Sequence, residues 1–267
     1  MDLQLTDRVA LVTGSHRGTG AGIAGALARE GARVAVHGFD PGQADAVAEH
    51  LVAEGADAAP FAGDITDDAG ASRLAGRVLD HFGRVDVLVN SYGVAEAGDW
   101  STTSTDEWVA LYQRNVLSGV RLVHALVPGM RERGWGRVVW LGTIGELRPA
   151  ARMPHYYASK ATLASICVSL AKEFAGSGIT VNLVSPGLIA TEEVRAHLRR
   201  RAERKGWGGD WEDIQRAALA EMTGASTGRI VEVDEVADLV AFLASERAGS
   251  INGTRIRIDG GASETAV

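Results

Sequence analysis

The stretch Arg8-Val9-Ala10-Leu11-Val12-Thr13-Gly14-Ser15-His16-Arg17-Gly18-Thr19-Gly20 sets the architecture of the chain. Residues 8–12 are a short apolar run, the pattern of a buried strand, and Thr13-Gly14 ends it in a turn. Residues 19–30 are rich in alanine at helical spacing, and Gly31 closes them as glycines close helices. Glycines in the turn let the backbone bend tightly and approach an anion, and the helix that follows aims its first amides at that anion. The unit predicts a strand, a glycine-rich turn and a helix around a dinucleotide pyrophosphate. Standing alone, the same residues also suit a tight turn with no ligand.

Outward from this unit the alternation continues. Strands are predicted at 33–36, up to about Asp64, and at 85–90, 137–141, 180–185 and 255–258. Helices are predicted at 43–54, after Asp64, and at 105–133, 156–175 and 234–245, with Pro128-Gly129 interrupting the third near its end. Continuous apolar strands separated by amphipathic helices imply a parallel sheet covered on both faces. Right-handed crossovers make it doubly wound. The expected fold is α/β: a single-domain Rossmann fold over residues 1–267, with about seven strands. One stretch breaks the rhythm. Residues 191–228 are too long for a simple connection and hold Arg195, Arg199, Arg200, Arg201, Arg204 and Lys205, then Trp207 and Trp211. They read either as a substrate loop or lid, or as a solvated basic helix.

Composition narrows the function classes. The chain has 267 residues, 46% of them apolar, and a net charge of −7, which argues against a nucleic-acid partner. The single cysteine, Cys167, excludes an intrachain disulfide and reads as a small core residue of a helix. No signal peptide or membrane-length apolar run is present, so a soluble, cytoplasmic protein with no membrane partner is expected. The seven histidines lack metal-ligand spacing, and no metal site is expected. No Gly-x-Ser-x-Gly motif offers a hydrolase nucleophile.

The chemistry-bearing residues come in a fixed order. Gly14, Gly18 and Gly20 are followed by Asn90-Ser91-Tyr92-Gly93, by Asn115, by Tyr156-x-x-x-Lys160 and by Pro186-Gly187-Leu188-Ile189-Ala190-Thr191. Tyr156 and Lys160 are four apart and share a helix face; Tyr157 is out of that register. A phenol beside an ammonium has its pKa drawn toward the working range and serves as a general acid or base. In order and spacing these motifs resemble the short-chain dehydrogenase/reductase family from about residue 7 to residue 261, with 3-oxoacyl reductase-like and sugar dehydrogenase-like members.

The resemblance implies an NAD(P)(H)-dependent oxidoreductase that interconverts a carbonyl and a secondary alcohol, with Tyr156 moving the proton. It implies that Lys160 also holds the nicotinamide ribose and that Asn115 supports a water leading to Lys160. A serine is usual thirteen residues before the tyrosine; here Thr143 stands there and keeps the hydroxyl. Tyr92 stands where alanine is common. The implied cofactor contacts are Gly14, His16, Arg17, Gly18, Gly20, Phe39, Asp64, Ile65, Asn90, Gly93, Pro186, Gly187, Ile189 and Thr191, besides Tyr156 and Lys160. Asp64 also reads as a cap of the helix after it.

Gly38 occupies the place of the aspartate common in NAD-preferring relatives, Phe39 the place of a frequent NADP-selecting arginine. Arg17 is a cation beside the glycines, so NADP(H) is favoured and NAD(H) is the alternative. The expected partners are a small carbonyl or alcohol substrate, anionic if the basic residues face it, and copies of the chain in a homotetramer. The rival reading is a non-catalytic dinucleotide-binding sensor or scaffold on the same fold.

Overall fold

The computed structural model describes residues 1–222 and 224–263. Residues 223 and 264–267, part of the expected single domain, lie outside the described residues. Seven parallel strands form one sheet in the order β3-β2-β1-β4-β5-β6-β7. They are β1 Val9–Val12, β2 Arg33–Gly38, β3 Ala58–Ala62, β4 Val87–Asn90, β5 Gly136–Leu141, β6 Ile179–Pro186 and β7 Arg255–Ile258. The strand order reverses between β1 and β4, and doubly wound sheets hold their ligands outside the carboxyl ends of the strands at such a point. The turn at 13–18 leaves β1 there, and Ser91-Tyr92-Gly93 leave β4.

Helices α1 (Gly18–Arg29), α2 (Asp45–Ala53) and α9 (Val233–Ala244) cover one face of the sheet. Helices α3 (Asp68–Phe82), α5 (Ser118–Glu132) and α6 (Pro154–Glu173) cover the other. The two cores share no residue; strand side chains alternate between them, as with Ala10 and Val12 against Val9 and Leu11. Cys167 is buried in the second core, as a small apolar residue would be. Gly22 lets α1 and α9 touch, because a Cβ there would lie 2.3 Å from Val233 Cγ1.

The expected long helix is broken, but not at Pro128. Helix α4 (Thr105–Tyr112) passes into a π-turn at Gln113–Leu117, and α5 then runs unbroken through Pro128 to Glu132. Pro128 and His124, whose carbonyl loses its helical donor, are both exposed, so the freed carbonyl is not sealed in the core. Buried Leu122, Val123, Leu126, Val127 and Met130 carry the helix past it.

Residues 191–228 are mostly helical. Helices α7 (Glu192–Lys205) and α8 (Trp211–Met222) enclose a small core of their own from Leu198, Ala202, Ile214, Ala218, Leu219 and Ile230.

Candidate active site

The glycine-rich turn is held from beneath. Gly14 and Gly18 take φ of 64° and 55°, conformations that favour glycine, and a Cβ on Gly20 would lie 2.5 Å from the Gly14 carbonyl oxygen. Ser15 Oγ donates to the Val12 carbonyl at 2.6 Å and accepts the His37 N–H at 2.8 Å. The His37 ring is fully buried at the end of β2. Its Nδ1 accepts the Gly14 N–H at 3.0 Å, so Nε2 carries the proton toward the Gly63 carbonyl at 2.8 Å. Burial pushes its pKa down to about 4, which keeps that ring neutral. His16 is half-buried with Nδ1 unpartnered, and burial lowers its pKa too. Arg17 is exposed, its Nη1 3.7 Å from Glu193 Oε1 at the start of α7.

At the β2 end, Phe39 stacks between His37 and Tyr92, with ring centroids 5.3 and 4.5 Å away. Tyr92 therefore builds an aromatic wall with Phe39. Gly38 has a steric reason besides the one read from sequence: a Cβ there would lie 2.9 Å from Gln43 Cβ. Gln43 Oε1 accepts the Phe39 N–H at 2.7 Å. Asp64 is exposed beside buried Ile65. It is not the cap of the next helix: its Oδ1 accepts the N–H and hydroxyl of Thr66, while Asp67 caps α3. Asn90 is buried with both side-chain polar atoms unpartnered, close under Gly119.

Thr143, Tyr156, Lys160 and Asn115 converge where β4 and β5 end. A cavity of about 230 Å³ lies there, lined by Gly93, Val94, Gly142, Tyr156, Lys160 and Ile189 among others. Tyr156 lies on the first turn of α6, after Pro154 fixes the helix start. Its phenol lies beside the Thr143 side chain, whose Oγ1 accepts the Gly145 N–H at 3.2 Å. Lys160 Nζ donates to the Leu141 carbonyl at 2.8 Å. Gly93 makes room for that ammonium, since a Cβ there would be 2.8 Å from Nζ. Burial pushes Tyr156 up to about 12 and Lys160 down to about 8. Without a cofactor the tyrosine is thus a firmly neutral acid, rather than a phenol drawn toward neutrality.

Asn115 sits in the π-turn and clamps Val94: Oδ1 accepts its N–H at 2.7 Å, and Nδ2 donates to its carbonyl at 3.0 Å. Nδ2 also donates to Ser159 Oγ at 3.0 Å, and Ser159 donates to the Tyr156 carbonyl at 2.7 Å. Pro186 ends β6, and Gly187 packs against Asp259. Ile189 bridges to Val231, and Thr191 caps α7 by accepting the Val194 N–H at 3.3 Å.

Three of the six basic residues after Thr191 are paired with glutamates. Arg195 grips Glu232 at 2.6 and 2.8 Å, and Arg201 and Lys205 share Glu221 at 2.6 Å each. Arg148 donates to the Ala262 carbonyl. Lys160 is the one cation among the described residues that line the cavity. Among the described residues no group of three or more metal-ligating side chains gathers, and no helix is long and apolar enough to cross a membrane. His37, Ser159 and a buried carboxylate, Glu146, escaped the sequence reading. Their partners are backbone atoms and residues remote in sequence, which no local motif signals.

A nucleotide turn at the switch point and a proton-donating tyrosine at the neighbouring strand ends define a dinucleotide-dependent oxidoreductase. The comparisons agree. A family model described as Enoyl-(Acyl carrier protein) reductase matches residues 14–263. The 3-oxoacyl-[acyl-carrier-protein] reductase FabG of Escherichia coli is 33% identical, covering 95% of this chain and 96% of its own. The D-threitol dehydrogenase of Mycolicibacterium smegmatis is 34% identical, covering 97% and 94%. The structure of L-sorbose reductase from Gluconobacter frateurii, complexed with NADPH and L-sorbose, superposes with a TM-score of 0.92 at 30% identity, covering 99% of this chain and 100% of that one.

The chain belongs to the short-chain dehydrogenase/reductase family. It is an NAD(P)(H)-dependent oxidoreductase acting between carbonyl and alcohol, and the non-catalytic reading finds no support.

Proposed function

We propose that this enzyme reduces the ketone of a small, neutral, hydroxylated compound with NADPH, in the cytoplasm. The observation that carries the reading is Tyr156 and Lys160 together in one cavity whose lining, among the described residues, holds no other charged side chain, with Thr143 beside the Tyr156 phenol. A cavity with that single cation, already bound to the Leu141 carbonyl, suits a ketose or polyol better than an anion. The D-threitol and L-sorbose enzymes among the relatives favour the same class.

The residues fit a dinucleotide. The cradle at Gly20, the turn at Gly14 and Gly18, and the room beside Gly93 are spaces that a Cβ would fill. Gly14, His16, Arg17, Gly18 and Gly20 would hold the pyrophosphate, and Phe39, Asp64, Ile65, Asn90 and Gly93 the adenosine half and the central strands. Tyr156, Lys160, Pro186, Gly187, Ile189 and Thr191 would hold the nicotinamide half. When bound, that cofactor supplies the hydride.

The chain's own residues handle the proton. The Thr143 and Tyr156 hydroxyls both donate to the substrate carbonyl oxygen. Tyr156 then passes its proton to that oxygen as negative charge develops there. The Lys160 ammonium stabilises the phenolate left behind, and Asn115 holds Val94 at the cavity wall. A tyrosine pushed up to about 12 is protonated at neutral pH, the state that carbonyl reduction requires of it, and the nearby Lys160 ammonium then eases loss of that proton. Helices α7 and α8 act as a lid over the substrate, and copies of the chain assemble as a homotetramer. The test is nicotinamide absorbance across neutral ketoses, polyols, acyl-thioester ketones and anionic ketones, with NADPH and NADH in parallel. Turnover confined to the anionic or thioester compounds would reject the substrate class.

A further inference from the structure

Three residues beyond Thr143, on the single helical turn that Thr143 caps, stands Glu146. Its side chain is only 1% exposed. Oε1 accepts the Ser185 hydroxyl at 2.5 Å and lies 3.8 Å from Arg255 Nη1, while Oε2 is buried with no hydrogen-bond partner among the described residues. A Cβ on Gly142, which lines the catalytic cavity, would come within 3.1 Å of that unpartnered oxygen. Glu146 thus ties the end of β5 to the end of β6, one residue before Pro186, directly behind the cavity wall. Burial raises the pKa of this carboxyl, and the Ser185 hydroxyl, Arg255 and Lys160 oppose that rise by favouring the carboxylate.

The beneficiary is Lys160. That ammonium is buried, and the partner it has is the neutral Leu141 carbonyl. The neutral Asn115 side chain from the π-turn shares with it the space over Gly93, and Glu146, from the turn after β5, lies against Gly142, the residue next to the Leu141 whose carbonyl Lys160 binds. Arg255, from β7, sits behind Glu146 and offsets part of its charge.

We propose that Glu146 is a positioning residue that keeps Lys160 an ammonium, acting from behind the cavity wall through space rather than by touching substrate or cofactor. Burial alone drives the Lys160 proton off, and an anion nearby holds it on. The carboxylate lowers the acidity of Tyr156 by the same field, so both groups keep their protons for carbonyl reduction. The proposal does not depend on which ketone the enzyme reduces.

The chain has three lysines, Lys160, Lys172 and Lys205, so the Lys160 ε-carbon can be followed by NMR in ¹³C-lysine-labelled protein without cofactor or turnover. Wild-type Lys160 should titrate near pH 8. In Glu146→Gln, which keeps an acceptor for Ser185, the midpoint should fall by on the order of one unit, the effect of one charge a few ångström away. Glu146→Asp should restore it. The alkaline limb of single-turnover ketone reduction should move down with the NMR midpoint. By reciprocity, Lys160→Met should raise the Glu146 carboxyl titration, a second measurement that stands if Glu146→Gln fails to fold. An unmoved or rising Lys160 midpoint in Glu146→Gln, even with a lower melting temperature, would mean a merely structural residue. An unmoved Glu146 titration in Lys160→Met would overturn the coupling likewise.

Discussion

The Gly14 N–H points into the ring of His37, which accepts it at Nδ1 at 3.0 Å while the far nitrogen faces Gly63. One neutral imidazole thereby joins the nucleotide turn to the ends of two strands. His37→Leu should weaken NADPH binding about tenfold, the size of one buried hydrogen bond with its unsatisfied partner, with little change in kcat. His37→Asn, whose oxygen reaches the Nδ1 position, should recover most of the loss. Titration of cofactor fluorescence measures both; equal losses in the two variants would contradict the bracing role.

The same ring sets an acid limit. Its folded pKa of about 4 lies below the unfolded value of 6.5, so the unfolded chain binds more protons between those pH values. Stability conferred at neutral pH is therefore lost as pH falls from about 6.5 to about 4, by roughly 3 kcal/mol for this group. Urea unfolding of wild type and His37→Asn across that window should show the steeper decline in wild type. Parallel declines would exclude His37 as the cause.

Tyr156 and Tyr157 are neighbours with ring centroids 5.3 Å apart, yet their duties differ. Tyr157 packs on Gly145, where a Cβ would lie 2.1 Å from its ring. Tyr156→Phe should cut turnover at least ~10²-fold with NADPH affinity almost unchanged. Tyr157→Phe should retain most activity. Steady-state rates settle it, and the reverse pattern would place the proton donor wrongly.

Thr143 presents its hydroxyl to Tyr156 while holding the Gly145 amide. Thr143→Val keeps the shape and should lower single-turnover reduction by about 10²–10³, the usual cost of one preorganised donor. Thr143→Ser should stay active. Full activity in the valine variant would remove Thr143 from the mechanism.

Arg17 and Glu193 face each other across the nucleotide turn, both exposed. A 2′-phosphate competes with Glu193 for the guanidinium. Arg17→Ala should weaken NADPH binding selectively, and Glu193→Gln should tighten NADPH without affecting NADH. Both contrasts should shrink as salt rises. Equal changes for the two cofactors, read by calorimetry, would assign the phosphate elsewhere.

The central strands were legible because Val9–Val12 is a continuous apolar run and Gly136–Leu141 nearly one, and burial on both faces leaves few other readings for them. The Tyr156–Lys160 pair was legible because a helix converts a spacing of four into one face. The helix break was misplaced because proline at 128 announces itself in sequence, while the event that matters is Asn115 reaching back to the Val94 backbone. His37 and Glu146 were illegible for a like reason. Their partners lie 23 and 39 residues away, brought together by strand order alone. The pairing of Arg195, Arg201 and Lys205 with Glu232 and Glu221 was illegible because those glutamates arrive only through tertiary packing.

The hairpin of α7 and α8 keeps its apolar residues to itself, with Leu198, Ile214 and Leu219 packing apart from both cores of the sheet. A substitution inside it disturbs that small core first and leaves the packing of β1–β7 as it is. A hairpin taken from another chain would leave the His37 brace and the Tyr156–Lys160 pair intact, and would have to keep Glu193 against Arg17 and Arg195 on Glu232 to leave the nucleotide turn as it is.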